Sequence, residues 1–447
     1  MALTIGQKAG WGLADLGVVV FVVVKQLLVL AFLTSYLGVP AGIAGAATTA
    51  VLVFDMITDP LIGYLSDRTD SRFGRRAPWM VAGAVVMVAG MVGLFAVPEE
   101  LRGTAALPWV LGFFCLATVG FTMVAIPYGA LAGEITEDGR ERSQMTAWRM
   151  GFASVGILVG GALVPGLAAN GGHAHAALVV SPLILGAIWF SAWSIRKAPR
   201  HPTPSLVSPA EMLRHVLGNR PFMVLAALYG VMTLAIALIT AGLPFAALYL
   251  IADTGDTPLS ALAQSLTVLS LLFAAFTLGS ILSQAGWVWA SATLGKLGAL
   301  VLGLCLYILL LFGLFAALPS VNVTAIAGVF VLAGMTNGAY QQIPWAMYPD
   351  LMDVTRARTG AAIEGGFSAI WLFGQKLANA LAPGALGLIL GAFGWQETTE
   401  GRAEQSADAL RALHVSVTLV PAGILALAVI GLWVLYRPRA VRVLPAA

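Results

Sequence analysis

Long apolar stretches recur along the whole chain and are separated by short polar connections. Because about 20 consecutive apolar residues are needed to cross the hydrocarbon core of a bilayer, these stretches predict transmembrane α-helices. Hydropathy indicates twelve helices, and an even number places both ends of the chain on one side of the membrane. The predicted helices begin near Gly12, Gly42, Trp79, Ala106, Ala147, Ala174, Pro221, Ala261, Gly298, Thr324, Gly360 and Val415.

The composition also indicates an all-α membrane protein. Of the 447 residues, 59% are hydrophobic and 10% are charged, and the mean hydropathy is +0.89. Soluble domains carry about 25% charged residues, so this chain has too few charges to cover a water-facing surface. These values exclude a secreted scaffold, a nucleic-acid-binding protein and a cytosolic enzyme. The lipid bilayer is therefore an expected partner, and nucleic acid is not.

The basic residues predict the orientation in the membrane. Most of the 24 Lys and Arg residues fall in one set of connections, whereas the opposite set holds Arg102, Arg402 and Arg411. The positive-inside rule then places both termini in the cytoplasm. No targeting segment is recognised, and we expect an integral protein of the cell membrane, which is the inner membrane in a bacterium.

The longest polar connection on the cytoplasmic side divides the chain into two halves. We predict an N-terminal six-helix bundle over 1–195, a cytoplasmic linker over 196–220 and a C-terminal six-helix bundle over 221–447. The halves also carry similar features in the same order, as expected for the six-helix repeats of secondary transporters. Chance similarity between two amphipathic helix ends is the alternative. The matching features are Ile126-Pro127-Tyr128 followed by Glu134, Asp138 and Arg142, and Ile343-Pro344-Trp345 followed by Asp350, Asp353 and Arg358.

Several charged residues lie inside predicted spans: Asp15, Lys25, Asp55, Asp59 and Lys376. An ionised side chain at the bilayer centre costs about 2.5–3.5 kcal/mol on insertion scales, so residues retained there usually have a function. Gln375 precedes Lys376 and adds to a polar stripe on the eleventh helix.

Asp55 and Asp59 are the strongest local signal for function. A spacing of four residues puts both carboxylates on one helix face, with Cβ atoms about 5–6 Å apart. Two anions at this distance repel each other, and either a proton or a bound cation relieves the conflict. Sodium prefers oxygen ligands, and carboxylates supply them. The alternative is that both residues simply pair with Lys25, Lys376 or Arg149.

An ordered motif connects the second predicted helix to the third. It reads D-x-x-x-D-P-x-x-G-x-x-S-D-R from Asp55 to Arg68 and continues to Arg75-Arg76. The motif resembles that of the glycoside–pentoside–hexuronide:cation symporter family of the major facilitator superfamily, and the resemblance covers the chain. Further matching positions are Asp15, Tyr128, Glu134, Asp138, Arg142, Arg149, Trp345, Asp350 and Lys376.

The resemblance implies the major facilitator fold and a cation-coupled symporter of sugars or glycosides that works by alternating access. It implies that Asp55 and Asp59 bind the coupling ion, sodium or a proton, with Lys376 beside them. Contact with the solute is expected from Asp15, Lys25, Tyr128, Arg149, Trp345 and Gln375. Ion pairs of an inner gate are expected from Asp67, Arg68, Arg75, Arg76, Asp138, Arg142 and Asp350.

Three positions depart from the family pattern. Val19 and Ala125 stand where carboxylates contact a sugar in the family, and Gly129 stands where a tryptophan stacks on it. A lysolipid or another amphiphilic anion is therefore a rival substrate, and the loss at Ala125 makes a proton a fair alternative to sodium. A sensor without transport activity is a third reading, although the set Asp55, Asp59 and Lys376 argues against it.

No metal triad, nucleophile–base pair or phosphate-binding loop is recognised in the sequence. We therefore expect no enzyme activity and no cofactor other than the coupling ion. The expected partners are a small-molecule solute, a monovalent cation or proton, and lipid, and we expect a monomer.

Overall fold

The computed structural model describes residues 3–71, 73–136, 139–196, 198, 209–359 and 364–441. In this part of the chain the regular structure is helical, and one isolated bridge joins Ile251 to Ser320. The predicted all-α fold is confirmed.

In the described residues, the first half of the chain contributes six long helices. Each runs through a predominantly apolar stretch, as its hydropathy predicts. They are α1 (Ile5–Gly12 and Ala14–Ser35), α2 (Ala41–Arg68), α3 (Ala77–Phe95), α4 (Leu107–Glu134), α5 (Gly139–Leu158 continuing through the π-helical turn Val159–Leu163 to Val164–Gly171) and α6 (His173–Ser194).

The described part of the second half contributes six more long helices and two short ones. The short helices are Pro209–Gly218 and Ser260–Leu266. The long helices are α7 (Arg220–Tyr249), α8 and α9 (268–294 and 296–317, within Val268–Ala317), α10 (Val323–Thr359), α11 (Glu364–Ala392) and α12 (Ala407–Val417, Leu419–Gly431, the π-helical turn Leu432–Tyr436 and Arg437–Ala440).

Gly295 separates α8 from α9. Its φ of 72° and ψ of 157° are not helical, and glycine adopts such a positive φ without the steric cost of a Cβ atom. In the described residues 10 helices are long and apolar enough to cross a membrane. The break at Gly295 divides one of these into two, and α11, with 29 residues and a polar stripe, was not among them. Counting α8 and α9 separately and adding α11 gives the predicted twelve helices among the described residues.

Three helices begin earlier than hydropathy predicts. We expected starts near Gly12, Ala147 and Val415, whereas α1, α5 and α12 begin at Ile5, Gly139 and Ala407. Hydropathy detects only the apolar part of a helix, and the extra turns are amphipathic or polar. Local caps set two of the true starts. Thr4 and Gln7 form a capping box before α1, and the Ser406 side chain accepts from the Ala409 N–H before α12.

The chain forms two compact units. One comprises Met1–Thr203, Leu262–Phe273 and Trp395–Glu404, and the other comprises Pro204–Ala261, Ala274–Gly394 and Gln405–Ala447. We call them the N unit and the C unit. In the N unit, the backbone N–H groups of Thr398 and Gly401 donate to the carbonyls of Thr34 and Ser35 at the end of α1. The position of both termini in the cytoplasm stays a prediction. So do the domain boundaries 1–195, 196–220 and 221–447.

Close backbone packing joins α3 to α4 in the N unit. A Cβ atom added at Gly120 of α4 would collide with the backbone nitrogen of Met87 in α3, and one added at Gly90 would meet the backbone of Ala117. Small residues allow helices in a bilayer to approach this closely. This packing holds α3 tightly against α4.

Candidate functional site

Two carboxylates in α2 converge on one hydroxyl group of α4. Asp55 is 3% exposed and Asp59 is half-buried. Thr122 Oγ1 lies 2.8 Å from Asp55 Oδ1 and 3.1 Å from Asp59 Oδ1. A hydroxyl has one hydrogen to donate, so the two carboxylates share a single donor. Three oxygen-bearing side chains therefore lie together inside an apolar helix bundle, and their chemistry fits a hard monovalent cation or a proton.

A buried ammonium group completes this cluster. Lys25 Nζ of α1 lies 3.7 Å from Asp55 Oδ2, and both side chains are almost fully buried. The same Nζ lies 4.5 Å from the ring centroid of Phe121 and 5.4 Å from that of Phe21, within the range of cation–π attraction. The pairing of Asp55 with Lys25, which the sequence left open beside ion coupling, is thus present in the structure.

Sequence reasoning did not single out Thr122. Thr118 and Thr122 are both fully buried one turn apart on α4. The Thr118 hydroxyl bonds the Phe114 carbonyl of its own helix, whereas that of Thr122 reaches across to α2. A threonine in an apolar helix usually bonds its own backbone in this way, so the sequence alone cannot separate the two.

We expect Thr122→Val to weaken the cation dependence of transport, whereas Thr122→Ser keeps it. The valine removes the hydroxyl at nearly constant volume. A hydrogen bond to a charged group contributes about 1.5–3 kcal/mol, and about 1.4 kcal/mol corresponds to a factor of ten in affinity. The cation concentration for half-maximal solute uptake should therefore rise roughly tenfold to a hundredfold. Equal values for the valine and serine variants would contradict a role for the hydroxyl.

A second polar cluster lies where α1, α4 and α5 meet. Arg149 Nε donates to Asp15 Oδ2 at 2.5 Å, and the guanidinium carbon lies 5.3 Å from the Tyr128 ring centroid. Tyr128 stacks on Trp11 with ring centroids 4.7 Å apart. Among the described residues, neither Tyr128 Oη nor Trp11 Nε1 has a hydrogen-bond partner. Such buried donors are usually satisfied, so each of these two groups keeps an unused hydrogen.

The C unit carries an aromatic cluster around Trp345. Trp345 Nε1 donates to Tyr229 Oη at 3.1 Å. Tyr229 stacks on Trp371 with ring centroids 4.2 Å apart and an angle of 11° between the planes. Trp345 remains 39% exposed, whereas Tyr229 and Trp371 are buried. Gln375 and Lys376 of the same α11 as Trp371 are half-buried. The buried stack holds Trp345 in place with part of its ring surface accessible.

An ion-pair brace joins α3 to the end of α4. Glu134 Oε1 accepts from Arg75 Nη2 at 2.8 Å and from Arg76 Nε at 2.9 Å. Arg76 Nη1 donates in turn to Ser66 of α2 at 2.8 Å. The brace therefore connects the ends of three helices of the N unit.

The C unit has a comparable brace at the matching position of the sequence repeat. Lys296 at the start of α9 lies 2.6 Å from Asp350 Oδ2 and 2.8 Å from its Oδ1, near the end of α10. Glu134 and Asp350 follow Pro127 and Pro344 of the two Ile-Pro pairs. The likeness of the halves thus extends from sequence order to an ion pair in the same place.

The described residues expected at an inner gate contact partners outside the expected set. Arg75 and Arg76 contact Glu134, and Asp350 contacts Lys296, neither of which was in the expected gate. Arg68 lies over the ring of Tyr64, 4.0 Å from its centroid. All of Asp138, and the side chains of Asp67 and Arg142, lie outside the described residues.

Glu141 ties the start of α1 to the start of α5. Its carboxylate accepts from the Thr136 hydroxyl and the Leu3 N–H, both at 2.8 Å, and lies 3.2 Å from Lys8 Nζ. The Thr136 hydrogen bond, together with Leu3 and Lys8, lowers the pKa of Glu141 against the opposing effect of burial. The group is therefore held in its charged form, which favours the bonds that tie the two helices.

Comparisons with known proteins agree with this architecture. The family model for MFS/sugar transport proteins matches residues 10–437. The inner membrane symporter YicJ of Escherichia coli (strain K12) is 27% identical, with 94% of this chain and 89% of that protein covered. The sodium-dependent lysophosphatidylcholine symporter 1-A of Danio rerio is 24% identical, with 84% of this chain and 75% of that protein covered.

The fold is also similar to that of solved transporters. The crystal structure of a D-xylose–proton symporter aligns with a TM-score of 0.64 over 96% of this chain and 97% of that one. The sequence identity is 15%, so this likeness concerns the fold alone.

Proposed function

The chain belongs to the MFS/sugar transport protein family, and on that premise we propose that it couples the movement of a sugar or glycoside to that of sodium or a proton. It is an integral membrane transporter of the cation symporter type and not an enzyme. The inner membrane named for the relative YicJ is its proposed location. The observation that carries the proposal is the pair of α2 carboxylates that share the Thr122 hydroxyl.

The coupling ion binds at Asp55 and Asp59, with Thr122 as a third oxygen donor. Two carboxylates in an apolar bundle carry a large electrostatic cost, which the Lys25 ammonium reduces at Asp55. A sodium ion or a proton reduces that charge, and binding can shift a conformational equilibrium only by its differential affinity for the two states. Alternating access coupled to ion binding follows from this linkage. Lys376 adds a positive charge on α11 in this proposal.

Each unit by itself carries groups with the chemistry of a solute-binding surface. In the N unit, Arg149 and Asp15 supply a charged hydrogen-bonding pair beside the unsatisfied donors of Tyr128 and Trp11. In the C unit, the accessible part of Trp345 supplies a flat apolar surface, with Gln375 as an amide on the neighbouring helix. Solute sites commonly combine apolar and aromatic lining with a few polar groups that fix orientation, and sugars offer both a C–H face and hydroxyl edges.

An amphiphilic anion such as a lysolipid is the second candidate. The specific observation is the valine run of α1, in which Val19 and Val22 are half-buried and offer no hydrogen bond to a hydroxyl. A polyol placed there would lose hydrogen bonds to water without replacement, which is costly. The similar protein from Danio rerio is named as a lysophosphatidylcholine symporter.

Uptake into proteoliposomes tests the proposal. Purified protein is reconstituted, and a sodium gradient or a pH gradient is imposed separately while uptake of neutral glycosides, hexuronides and lysolipids is followed. Melting temperatures in sodium and in choline are measured with the same panel, because a ligand that binds only the folded state stabilises it. Gradient-driven uptake of a sugar supports the first candidate, and response to amphiphiles alone supports the second. Uptake independent of both gradients would contradict ion coupling.

A further inference from the structure

We propose that Lys25 is a specificity-determining residue of the ion site: its tethered ammonium lowers the affinity of the carboxylate pair for soluble cations such as sodium. The inference rests on the proposed function, because it assumes that Asp55 and Asp59 bind the coupling ion. The sequence predicts that Lys25 contacts the solute, whereas this inference gives it a role at the ion site, beside Asp55.

The position of Lys25 supports this role. Its Nζ lies 3.7 Å from Asp55 Oδ2, whereas Thr122 lies on the other carboxylate oxygen, Oδ1. Asp55 is thus contacted on one oxygen by a cation that belongs to the protein and on the other by the hydroxyl shared with Asp59. A soluble cation that binds the pair must share Asp55 with this ammonium or displace it.

The surroundings hold the ammonium at the site. The Lys25 side chain is 7% exposed. The Phe21 and Phe121 rings lie within cation–π range on α1 and α4. A buried lysine normally reaches water along its flexible stem, but the rings favour the position beside Asp55.

The other charged groups on the helices packed around α1 lie at different places. From α2, Asp55 lies 3.7 Å from the ammonium. Asp15 of α1, ten residues earlier, lies about 15 Å away along a helix that rises about 1.5 Å per residue. That carboxylate is engaged by Arg149 of α5, beside Tyr128 of α4. At the other end of α1, His173 of α6 contacts the rings of Phe32 and Tyr36.

Electrostatics predicts how the Lys25 ammonium affects sodium binding. Like charges repel, and the repulsion is stronger inside a protein than in water because the effective dielectric constant is lower. An ammonium beside Asp55 therefore opposes the arrival of a sodium ion at the same pair. Removing the ammonium while keeping both carboxylates should make the site more attractive to sodium.

The test compares Lys25→Met with the unaltered protein. Methionine keeps an unbranched apolar stem against the two phenylalanine rings and removes the charge. Sodium binding to the purified full-length protein is measured by isothermal titration calorimetry in a choline background of constant ionic strength. We expect the sodium dissociation constant of Lys25→Met to be at least tenfold lower than that of the unaltered protein.

Lys8→Met is the matched control. Lys8 is also a buried lysine of α1, but it contacts Glu141 and Gln144 near the start of the helix. Its removal should leave the sodium affinity unchanged. Where Lys25→Met fails to fold, Lys25→Gln, which keeps a polar side chain, replaces it in the same comparison.

Equal sodium affinity, or equal absence of sodium binding, in the unaltered protein and the Lys25 variants would overturn the inference. Asp55→Asn separates this outcome from failure of the proposed function. Asp55→Asn could abolish ion-driven uptake while the Lys25 variants bind sodium as the unaltered protein does. That result would contradict the role of Lys25 and support ion coupling at Asp55. Normal ion-driven uptake by Asp55→Asn would contradict ion coupling at this pair of carboxylates. It would therefore also contradict the role of Lys25, which depends on that coupling.

Discussion

Replacing Asp55 with asparagine is expected to abolish solute accumulation driven by an ion gradient. The variant removes one of the two carboxylates that share Thr122, the one that lies 3.7 Å from the Lys25 ammonium. Two opposite unit charges about 4 Å apart attract by about 4 kcal/mol at an effective dielectric constant near 20. Since about 1.4 kcal/mol is a tenfold change in affinity, we expect a loss of roughly a hundredfold or more in ion-driven uptake.

Asparagine keeps the size of the side chain, so the variant tests charge more than packing. Uptake under an imposed gradient is compared with exchange of solute across the membrane at equal ion concentrations. The expected result is that the first falls much further than the second. Asp408→Asn, in the exposed first turn of α12, is the matched control and should transport normally. An Asp55→Asn variant that accumulates solute as the unaltered protein does would contradict ion binding at this pair.

Glu134→Ala is expected to have the largest effect on stability. Glu134 and Arg76 are 8% and 6% exposed, and Arg75 contacts the same carboxylate. Removing one partner of a buried ion pair leaves an uncompensated charge and costs about 3–5 kcal/mol. We therefore expect a clearly lower melting temperature for the purified protein in detergent, measured by thermal unfolding at fixed pH and salt.

The brace of the C unit supplies the matched comparison. The Lys296 and Asp350 side chains are 41% and 39% exposed. Exposed ion pairs contribute only about 0–1 kcal/mol, so Asp350→Ala should lower the melting temperature far less than Glu134→Ala. If the two variants lose the same stability, burial of the Glu134 pair is not what makes it important. The comparison also shows whether the ion pair at the repeated position contributes equally to stability in both units.

The helices could be predicted from sequence because the bilayer imposes their length and apolarity. Hydropathy predicted the twelve long helices of the described residues, and it erred where helices extend beyond the apolar core, as at Ile5 and Ala407. The break at Gly295 lies close to the predicted helix start near Gly298. These features depend on local composition, which the chain displays directly.

The site was predictable only where its geometry is local. Asp55 and Asp59 share a helix face because they are four residues apart, and that spacing can be read from the sequence. Thr122 belongs to the cluster through a contact between residues 67 positions apart in the chain. A single sequence carries no record of which helix faces pack together, so this hydroxyl could not be distinguished from that of Thr118.

The ion pairs show the same limit. Arg75, Arg76 and Asp350 were predicted as charged residues of a gate, but their partners Glu134 and Lys296 were not among them. The order of features in the two halves contained the signal, since Glu134 and Asp350 follow the two Ile-Pro pairs at nearly the same distance. The stacks of Trp11 on Tyr128 and of Tyr229 on Trp371 carried no such repeat and could be found only in the folded chain.

The close contact between α3 and α4 has a genetic consequence. Any base change that alters a glycine codon to that of another residue adds at least a Cβ atom, and at Gly120 that atom would occupy the space of the Met87 backbone. The position is therefore closed to missense variation whatever solute the protein carries. Neutral substitutions in this chain must accumulate elsewhere. One example is an exposed apolar position such as Leu183, where one aliphatic side chain can replace another.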